Sequence, residues 1–376
     1  MKFVYVVNSS DFFCSHFLNL AESLRSNFDA EVHIIVGDKN QIKYLEMKGF
    51  FVHYLALSRK GINPLFEAKS ILDLHRLFKK INPDFIHSFT IKPIVYTGLV
   101  TTFFLGNVKH KVYSVTGLGS LFLSKRLKDR FLWKIVTLCY KYAFSSKKSR
   151  VFFENSDDMA LFLQGNIVSK DKTFLVNGAG IDTDFFSPSE KKTSPNKEQL
   201  VVTFVGRLLK DKGVRELIEA SKDIFDLNIN VKILVVGDID ANNISSLTLD
   251  EINEADKNGY ISYLGHRKDI NEIYRKTDVA CLPSYREGLP KSLIEASASG
   301  CAILTTDTPG CRQTVIEGRN GVLCQVKSSK SLAEKILFFH ENRHILERMK
   351  SESRVVALER YGHELINQTF FRGYGL

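Results

Sequence analysis

The chain has 376 residues, enough for two domains of ordinary size, and its 44% apolar content is that of a packed globular protein and excludes a disordered one. Its net charge of +10 is uneven: residues 1–190 hold 25 Lys and Arg against 17 Asp and Glu, whereas residues 191–376 hold 27 against 25. A basic first half points to an acidic substrate, an anionic lipid surface or nucleic acid, and nothing in the sequence reads as an RRM, a zinc finger or a helix-turn-helix to support the last.

The first half alternates apolar strands with helical patterns. Residues 3–7, 32–36, 51–54, 85–87, 111–115 and 150–153 read as strands, with helices near 16–27, 41–48, 64–80, 92–104, 125–145 and 156–163. This alternation predicts an α/β fold with a parallel sheet covered on both faces, and ligands bind such sheets at the carboxyl ends of their strands. Residues 1–7 are too short and too β-branched for a signal peptide, and the longest apolar run, 94–105, is too short to span a bilayer.

Three strand-end loops carry polar groups. The first runs from Asn8 to His16, lacks glycine, and places His16 where the next helix opens. It also lacks the Gly-x-Gly-x-x-Gly of a dinucleotide-binding oxidoreductase. The second, Ile86-His-Ser-Phe-Thr-Ile-Lys-Pro93, crowds His87, Ser88, Thr90 and Lys92 at a strand end; His87 suits either an acceptor-side role or a satisfied place in the core. The third, Thr116-Gly-Leu-Gly-Ser-Leu-Phe122, offers two glycines for close backbone approach. Residues 121–150 then interleave nine Lys and Arg with Phe131, Trp133, Tyr140, Tyr142 and many aliphatics, with Asp129 the only acid. A basic, aromatic helix of this kind either lies in an anionic membrane interface or packs on the sheet with its charges in water.

Residues 174–186 close a first domain of 1–186, and residues 187–199, rich in Lys, Ser, Pro and Asn, read as a linker. The second domain, 200–350, opens on a buried strand ending in Gly206-Arg207, followed by Lys212 and a helix over 215–226. Arg207 and Lys212 can converge on a diphosphate. A strand over 232–236 ends at Gly237-Asp238, and one over 260–264 ends in Gly265-His-Arg267. The strand 278–283 then leads into Ser284-Tyr-Arg-Glu-Gly-Leu-Pro-Lys-Ser-Leu-Ile-Glu295 and a helix over 291–299. Glu287 sits on the loop and Glu295 two turns inside the helix. Gly288 permits close approach, Pro290 suits the first turn, and the free N–H groups there favour an anion. Two carboxylates beside such a helix start ask for a ligand with both hydroxyls and phosphates, a nucleotide sugar. A strand over 302–305, Gly310, and helical patterns over 328–350 and 351–371 complete the chain.

Glu287, seven intervening residues and Glu295, with Gly-Leu-Pro after the first Glu, resemble the signature of retaining glycosyltransferases of family four. Gly206-Arg207 with Lys212-Gly-Val resembles that family's second signature, Gly310 its later glycine, and residues 177–182 its Asn-Gly stretch before the linker. The resemblance covers nearly the whole chain. It implies a GT-B fold, two Rossmann-like domains with parallel sheets facing across a cleft, and a last helix, about 351–371, crossing back to the first domain. Family members often carry a His near position 16 and another near 116, where this chain has Thr116. The His-Ser-Phe-Thr…Lys-Pro and Val-Thr-Gly-Leu-Gly-Ser stretches resemble the subgroup acting on polyprenyl-diphosphate-linked sugars in bacterial surface-glycan assembly.

The resemblance implies transfer of a hexose or N-acetylhexosamine from a UDP-sugar to a lipid-linked sugar, with anomeric retention and with no metal or other cofactor. It assigns Arg207 and Lys212 to the diphosphate, Glu287 to the sugar hydroxyls, the Gly288–Leu289 backbone to sugar and phosphate, Glu295 to the ribose, and Gly206, Gly265 and Arg267 to the donor's surroundings. His16, His87, Lys92, Thr116 and Gly117 fall on the acceptor side. The alternatives are a UDP-sugar epimerase of similar fold, or a transferase using another nucleotide sugar and a soluble acceptor. Cys14, Cys139, Cys281, Cys301, Cys311 and Cys324 form no C-x-x-C pair and read as reduced, mostly structural thiols. The expected place is the cytoplasm, peripheral on the inner face of the membrane.

Overall fold

The apolar runs of the first half become seven parallel strands in a computed structural model of the chain, which describes every residue except 58–62, 104–107, 119–121, 123–125, 190–198, 241, 242 and 244. The strands are β1 (Lys2–Val7), β2 (Glu31–Val36), β3 (Phe51–Tyr54), β4 (Phe85–Phe89), β5 (His110–Val115), β6 (Ser149–Phe153) and β7 (Thr173–Leu175). Their order is β3-β2-β1-β4-β5-β6-β7, and every ladder is parallel. Helices cover both faces, so β1 and β4 are buried almost throughout and read as unbroken apolar runs instead of alternating ones.

The second half builds a six-stranded parallel sheet from β8 (Leu200–Val205), β9 (Val231–Val236), β10 (Ser262–Tyr263), β11 (Val279–Leu282), β12 (Ala302–Thr306) and β13 (Gly321–Cys324). Its order is β10-β9-β8-β11-β12-β13. In each sheet the order reverses once, between β1 and β4 in the first and between β8 and β11 in the second. Adjacent crossovers leave on opposite faces there and open a crevice at the strands' carboxyl ends. β7 and β13 were not expected from sequence; both are short and at sheet edges.

The chain divides into Met1–Ala179 with Ile366–Leu376, and Gly180–Leu365. The division precedes the expected boundary at 186, because residues 181–186 are tied into the second unit. The Ile181 N–H donates to the Tyr361 carbonyl at 2.8 Å, and Arg354 donates to the carbonyls of Thr183 and Phe186 at 2.8 and 2.9 Å. Of the expected linker, residues 190–198 lie outside the described residues. The expected helix 351–371 is instead two: Arg343–Arg360 stays in the second unit, and His363–Tyr374 belongs to the first from Ile366 onward. The helix expected over 16–27 also divides, into Ser10–His16 and Leu18–Phe28. Ser9 caps the earlier one, and at the break Phe17 turns its ring into the core, 4.1 Å from that of Phe89. His16 therefore ends a helix and does not open one.

The last helix closes the first unit by burying Ile366, Phe370 and Tyr374 in the core with Phe3, Phe85 and Phe152. His87 lies inside this cluster, its Nδ1 2.8 Å from the Tyr374 hydroxyl and its Nε2 2.7 Å from the Ser114 hydroxyl. It is a satisfied core histidine, which corrects its acceptor-side assignment: both ring nitrogens are engaged and no edge reaches solvent. All six cysteines are free, and Cys281, Cys301, Cys311 and Cys324 are buried.

Burial drives the His87 pKa well below its ordinary 6.5. As pH falls through that value the unfolded chain takes up a proton at His87 and the folded chain does not, so stability must fall with pH. His53 and His110, also lowered chiefly by burial, act in the same direction. Calorimetry is expected to show a first-unit unfolding free energy that is flat between about pH 7 and about pH 8 and declines by up to about 1.4 kcal/mol per pH unit per histidine below about pH 6.5. A His87→Asn variant is expected to lose stability at pH 7.5 and to show a shallower decline.

Candidate active site

The reversal of strand order in the second sheet decides which residues meet. Arg207 and Lys212 follow β8, Glu287 follows β11, and these strands are neighbours. The turn Lys210–Lys212 carries Lys212 back toward the β11 loop, where its ammonium donates to a Glu287 carboxylate oxygen. The pair is largely buried, its side chains 22% and 13% exposed. Each charge offsets the desolvation of the other. Arg207 is more open, at 58%, and its guanidinium meets Asp240 at 2.9 Å.

The loop bearing Glu287 is held by backbone as much as by side chains. The Ser284 hydroxyl and the Tyr285 N–H both donate to the Asp211 carbonyl, at 3.0 and 2.8 Å. The Glu287 N–H donates to Pro309 O at 3.0 Å, and the hydroxyls of Thr306 and Thr308 donate to Ser284 O. Gly310, at φ 82°, leaves so little room that a Cβ there would lie 2.3 Å from Glu287 O, and Gly213, at φ 73°, would place one 2.1 Å from Pro283 O. The loop thus sits wedged between the segments after β8 and β12. Sequence reasoning found Glu287, Lys212 and Gly310 but missed Asp240, Thr306 and Thr308, whose partners are up to 33 residues away in the chain.

Glu295 lies within the helix Lys291–Ala298, 3.0 Å from the Lys291 ammonium. Burial pushes its carboxyl up, and Lys291 pulls it back down. Leu289 is buried. Gly206 follows β8 directly, with its N–H on Val236 O at 3.0 Å. Gly265 has φ 62°, and a Cβ there would meet open space. The Arg267 guanidinium turns away to its own neighbour Asp269, at 2.6 and 2.8 Å.

In the first unit, Lys92 lies in the first turn of the helix Ile91–Phe103 and bonds Glu67 at 2.7 Å. Thr116 and Gly117 follow β5, with Gly117 at φ 123°. The His16 ring lies tilted against that of Phe12, ring centroids 4.4 Å apart. The described part of the basic stretch 121–150 centres on the helix Leu127–Phe144, and residues 121 and 123–125 lie outside the described residues. One face of the helix buries Val136, Tyr140, Ala143 and Phe144; the opposite face exposes Leu127, Phe131, Ile135 and Leu138, at 43–80%.

Residues 186–356 match the family model described as "Glycosyl transferases group 1", and residues 2–155 match "Glycosyl transferase 4-like". The chain is 28% identical over 369 residues to N,N'-diacetylbacillosaminyl-diphospho-undecaprenol alpha-1,3-N-acetylgalactosaminyltransferase of Campylobacter jejuni, covering 96% of this chain and 94% of the relative. It is 25% identical over 329 residues to UDP-Gal:alpha-D-GlcNAc-diphosphoundecaprenol alpha-1,3-galactosyltransferase of Escherichia coli, covering 84% and 81%. Among solved structures, Anabaena Alr3699/HepE in complex with UDP and glucose matches with a TM-score of 0.76 at 18% identity, over 100% of this chain and 99% of that one. WaaG, a glycosyltransferase involved in lipopolysaccharide biosynthesis, matches at 0.74 and 16%, over the full length of both chains. Both likenesses are of fold, the GT-B architecture that the sequence led us to expect.

The wedge at Glu287 yields a direct comparison. Gly310→Ala must displace the Glu287 carbonyl as well as adopt a left-handed backbone, whereas Gly265→Ala meets only the backbone penalty. Urea unfolding of the second unit is expected to show a loss of about 3 kcal/mol or more for the first and about 1–2 kcal/mol for the second.

Proposed function

Because the chain is a glycosyltransferase, with a group 1 glycosyl transferase module in its second unit and a 4-like module in its first, we propose that it moves a hexose or N-acetylhexosamine (GalNAc, GlcNAc or Gal) from a UDP-sugar to a polyprenyl-diphosphate-linked sugar during surface-polysaccharide assembly, with the anomeric configuration retained. The observation that carries the reading is the Lys212–Glu287 pair at the strand-order reversal of the second unit. It puts a cation for phosphate beside a carboxylate for hydroxyls, which is what a nucleotide sugar needs. The two transferases just named act on sugars carried by diphosphoundecaprenol, and they align over most of this chain.

In this reading Arg207 and Lys212 neutralise the diphosphate as it leaves. Glu287 accepts hydrogen bonds from the sugar's hydroxyls, the Gly288–Leu289 backbone meets sugar and phosphate, and Glu295 accepts from the ribose. The bond from the anomeric carbon to the donor phosphate oxygen breaks while the acceptor oxygen bonds to the same face, and the acceptor's proton passes to the departing phosphate. Cations and a helix N-terminus take the place of a metal.

The helix Leu127–Phe144 supplies a surface for the lipid. Its exposed Leu127, Phe131, Ile135 and Leu138 are spaced by four, four and three residues, so they form one stripe opposite the buried face. Lys128 lies on one side of that stripe and Arg130, Lys134 and Lys141 on the other, the pattern of a helix lying in an anionic interface. Among the described residues no helix is long and apolar enough to cross a membrane. The reading therefore places the protein peripherally, on the cytoplasmic face of the membrane.

Purified protein incubated with membrane extract and labelled UDP-, GDP- and dTDP-sugars is expected to move label from one UDP-sugar into butanol-extractable lipid, unchanged by EDTA. Glu287→Ala is expected to lower that transfer by about 100-fold or more. Donor consumption without transfer would point instead to an epimerase or hydrolase, and label confined to water-soluble product to a soluble acceptor.

Replacing both Phe131 and Leu138 by Glu removes two exposed apolar side chains from the stripe. Co-sedimentation with phosphatidylglycerol vesicles is expected to fall by about tenfold or more while the thermal midpoint holds. Unchanged sedimentation would rule out this helix as the membrane contact.

A further inference from the structure

The first sheet has its own strand-order reversal, between β1 and β4, and among the buried oxygens of this unit without a partner among the described residues are three on polar side chains outside its aromatic core: those of Asn8, Glu67 and Thr90. Asn8 follows β1 and Thr90 follows β4. The ladder's last pair is Val6 with Ser88, and Asn8 and Thr90 each come two residues after it. Asn8 Oδ1 and Thr90 Oγ1 are both buried and unbonded, and so is Glu67 Oε2 in the first turn of the helix Pro64–Ile81. The other Glu67 oxygen accepts from Lys92, two residues beyond Thr90, at 2.7 Å. Buried polar atoms are rarely left without partners, and three carried by the segments around one strand-order reversal call for a ligand. Thr90 adds an independent mark: a β-branched residue held at φ 68°, a conformation that is costly and that clusters at binding sites.

The chemistry of the three oxygens selects the ligand. Asn8 Oδ1 and an ionised Glu67 can only accept hydrogen bonds, so the ligand must donate. The Thr90 hydroxyl both donates and accepts. A diphosphate near neutral pH offers acceptors and almost no donors, and the Glu67 charge repels it. The Lys92 charge is already offset by Glu67. Sugar hydroxyls supply donors and acceptors together.

We propose that Asn8, Thr90 and Glu67 form a subsite for the hydroxyls of the accepting sugar, with Lys92 serving as counter-ion to Glu67 and not as a clamp on the acceptor's diphosphate. The proposal rests on the transferase reading above and assigns to this edge of the first unit the sugar end of the acceptor.

Three measurements on the full chain test it: UDP binding by calorimetry, saturation-transfer NMR with methyl N-acetyl-α-glucosaminide in the presence of UDP, and the same NMR with inorganic pyrophosphate as competitor. The glycoside is expected to bind. Asn8→Ala and Thr90→Gly are each expected to weaken it about tenfold, the loss of one hydrogen bond to a site left unpaired, with UDP affinity unchanged. Thr90→Gly also relieves the backbone, so its thermal midpoint is expected to hold or rise; a merely structural threonine would lower it. Glu67→Gln separates the two ligand classes by sign. It weakens the glycoside if the site holds sugar, and strengthens pyrophosphate at the glycoside's expense if the site holds phosphate. The second outcome, an absence of glycoside binding, or glycoside binding indifferent to all three variants overturns the proposal. A chain that binds the glycoside but not UDP would leave the subsite standing and remove the donor reading instead.

Discussion

The carbonyl oxygens of Pro283 and Glu287 leave no room for a Cβ at Gly213 or Gly310, and the position of the loop between them depends on this backbone contact. Side chains relax by rotating, but a carbonyl pressed against a neighbouring α-carbon does so only if a strand end shifts. The same loop is tied by Asp211 O on one side and by Thr306, Thr308 and Pro309 on the other. Each tie contributes only about 1 kcal/mol, but together they rival the roughly 1–2 kcal/mol per residue that ordering a loop costs. Glu287 therefore meets Lys212 in a geometry fixed by main chain.

The first unit has the same winding and uses it differently. Where the second unit joins opposite charges at its strand-order reversal, the first presents uncompensated oxygens and one carboxylate whose cation is already engaged. That asymmetry matches the two ends of a glycosyl transfer. The donor brings two phosphates that must be neutralised as they leave, whereas an accepting sugar brings hydroxyls that need only orientation. The helix Leu127–Phe144 reconciles the two readings its sequence left open. It packs on its own unit through Val136, Tyr140 and Ala143 and shows an apolar stripe on the other side. A helix apolar on two faces, with cations between them, packs as scaffold on one side, and the other side is the surface we propose for the membrane.

Much of this was legible in the chain. Buried parallel strands need continuous apolar runs, and such runs marked β1, β2, β4, β8 and β11. The candidate residues Glu287, Gly288 and Glu295 were marked by their local spacing. Elements that draw their stability from neighbours did not. β13 is four residues at a sheet edge, and the break at Phe17 comes where its ring packs beside that of Phe89. His87 stood undecided between core and site, because a histidine after apolar residues looks the same in either place until Tyr374 arrives from 287 residues away.

The sequence by itself determined the α/β class and the two parallel sheets, and it singled out Arg207, Lys212, Glu287 and Glu295 as candidates, because apolar patterning and short-range spacing are both local. Tertiary structure alone decided which cation meets Glu287, that Arg267 turns to Asp269, that residues 180–186 join the second unit, and that Asn8, Glu67 and Thr90 each keep an oxygen without a partner among the described residues. Each of these is a matter of pairing between distant segments. Pairing is settled by sheet order and by which backbone can approach which, and neither is written at any single position of the chain.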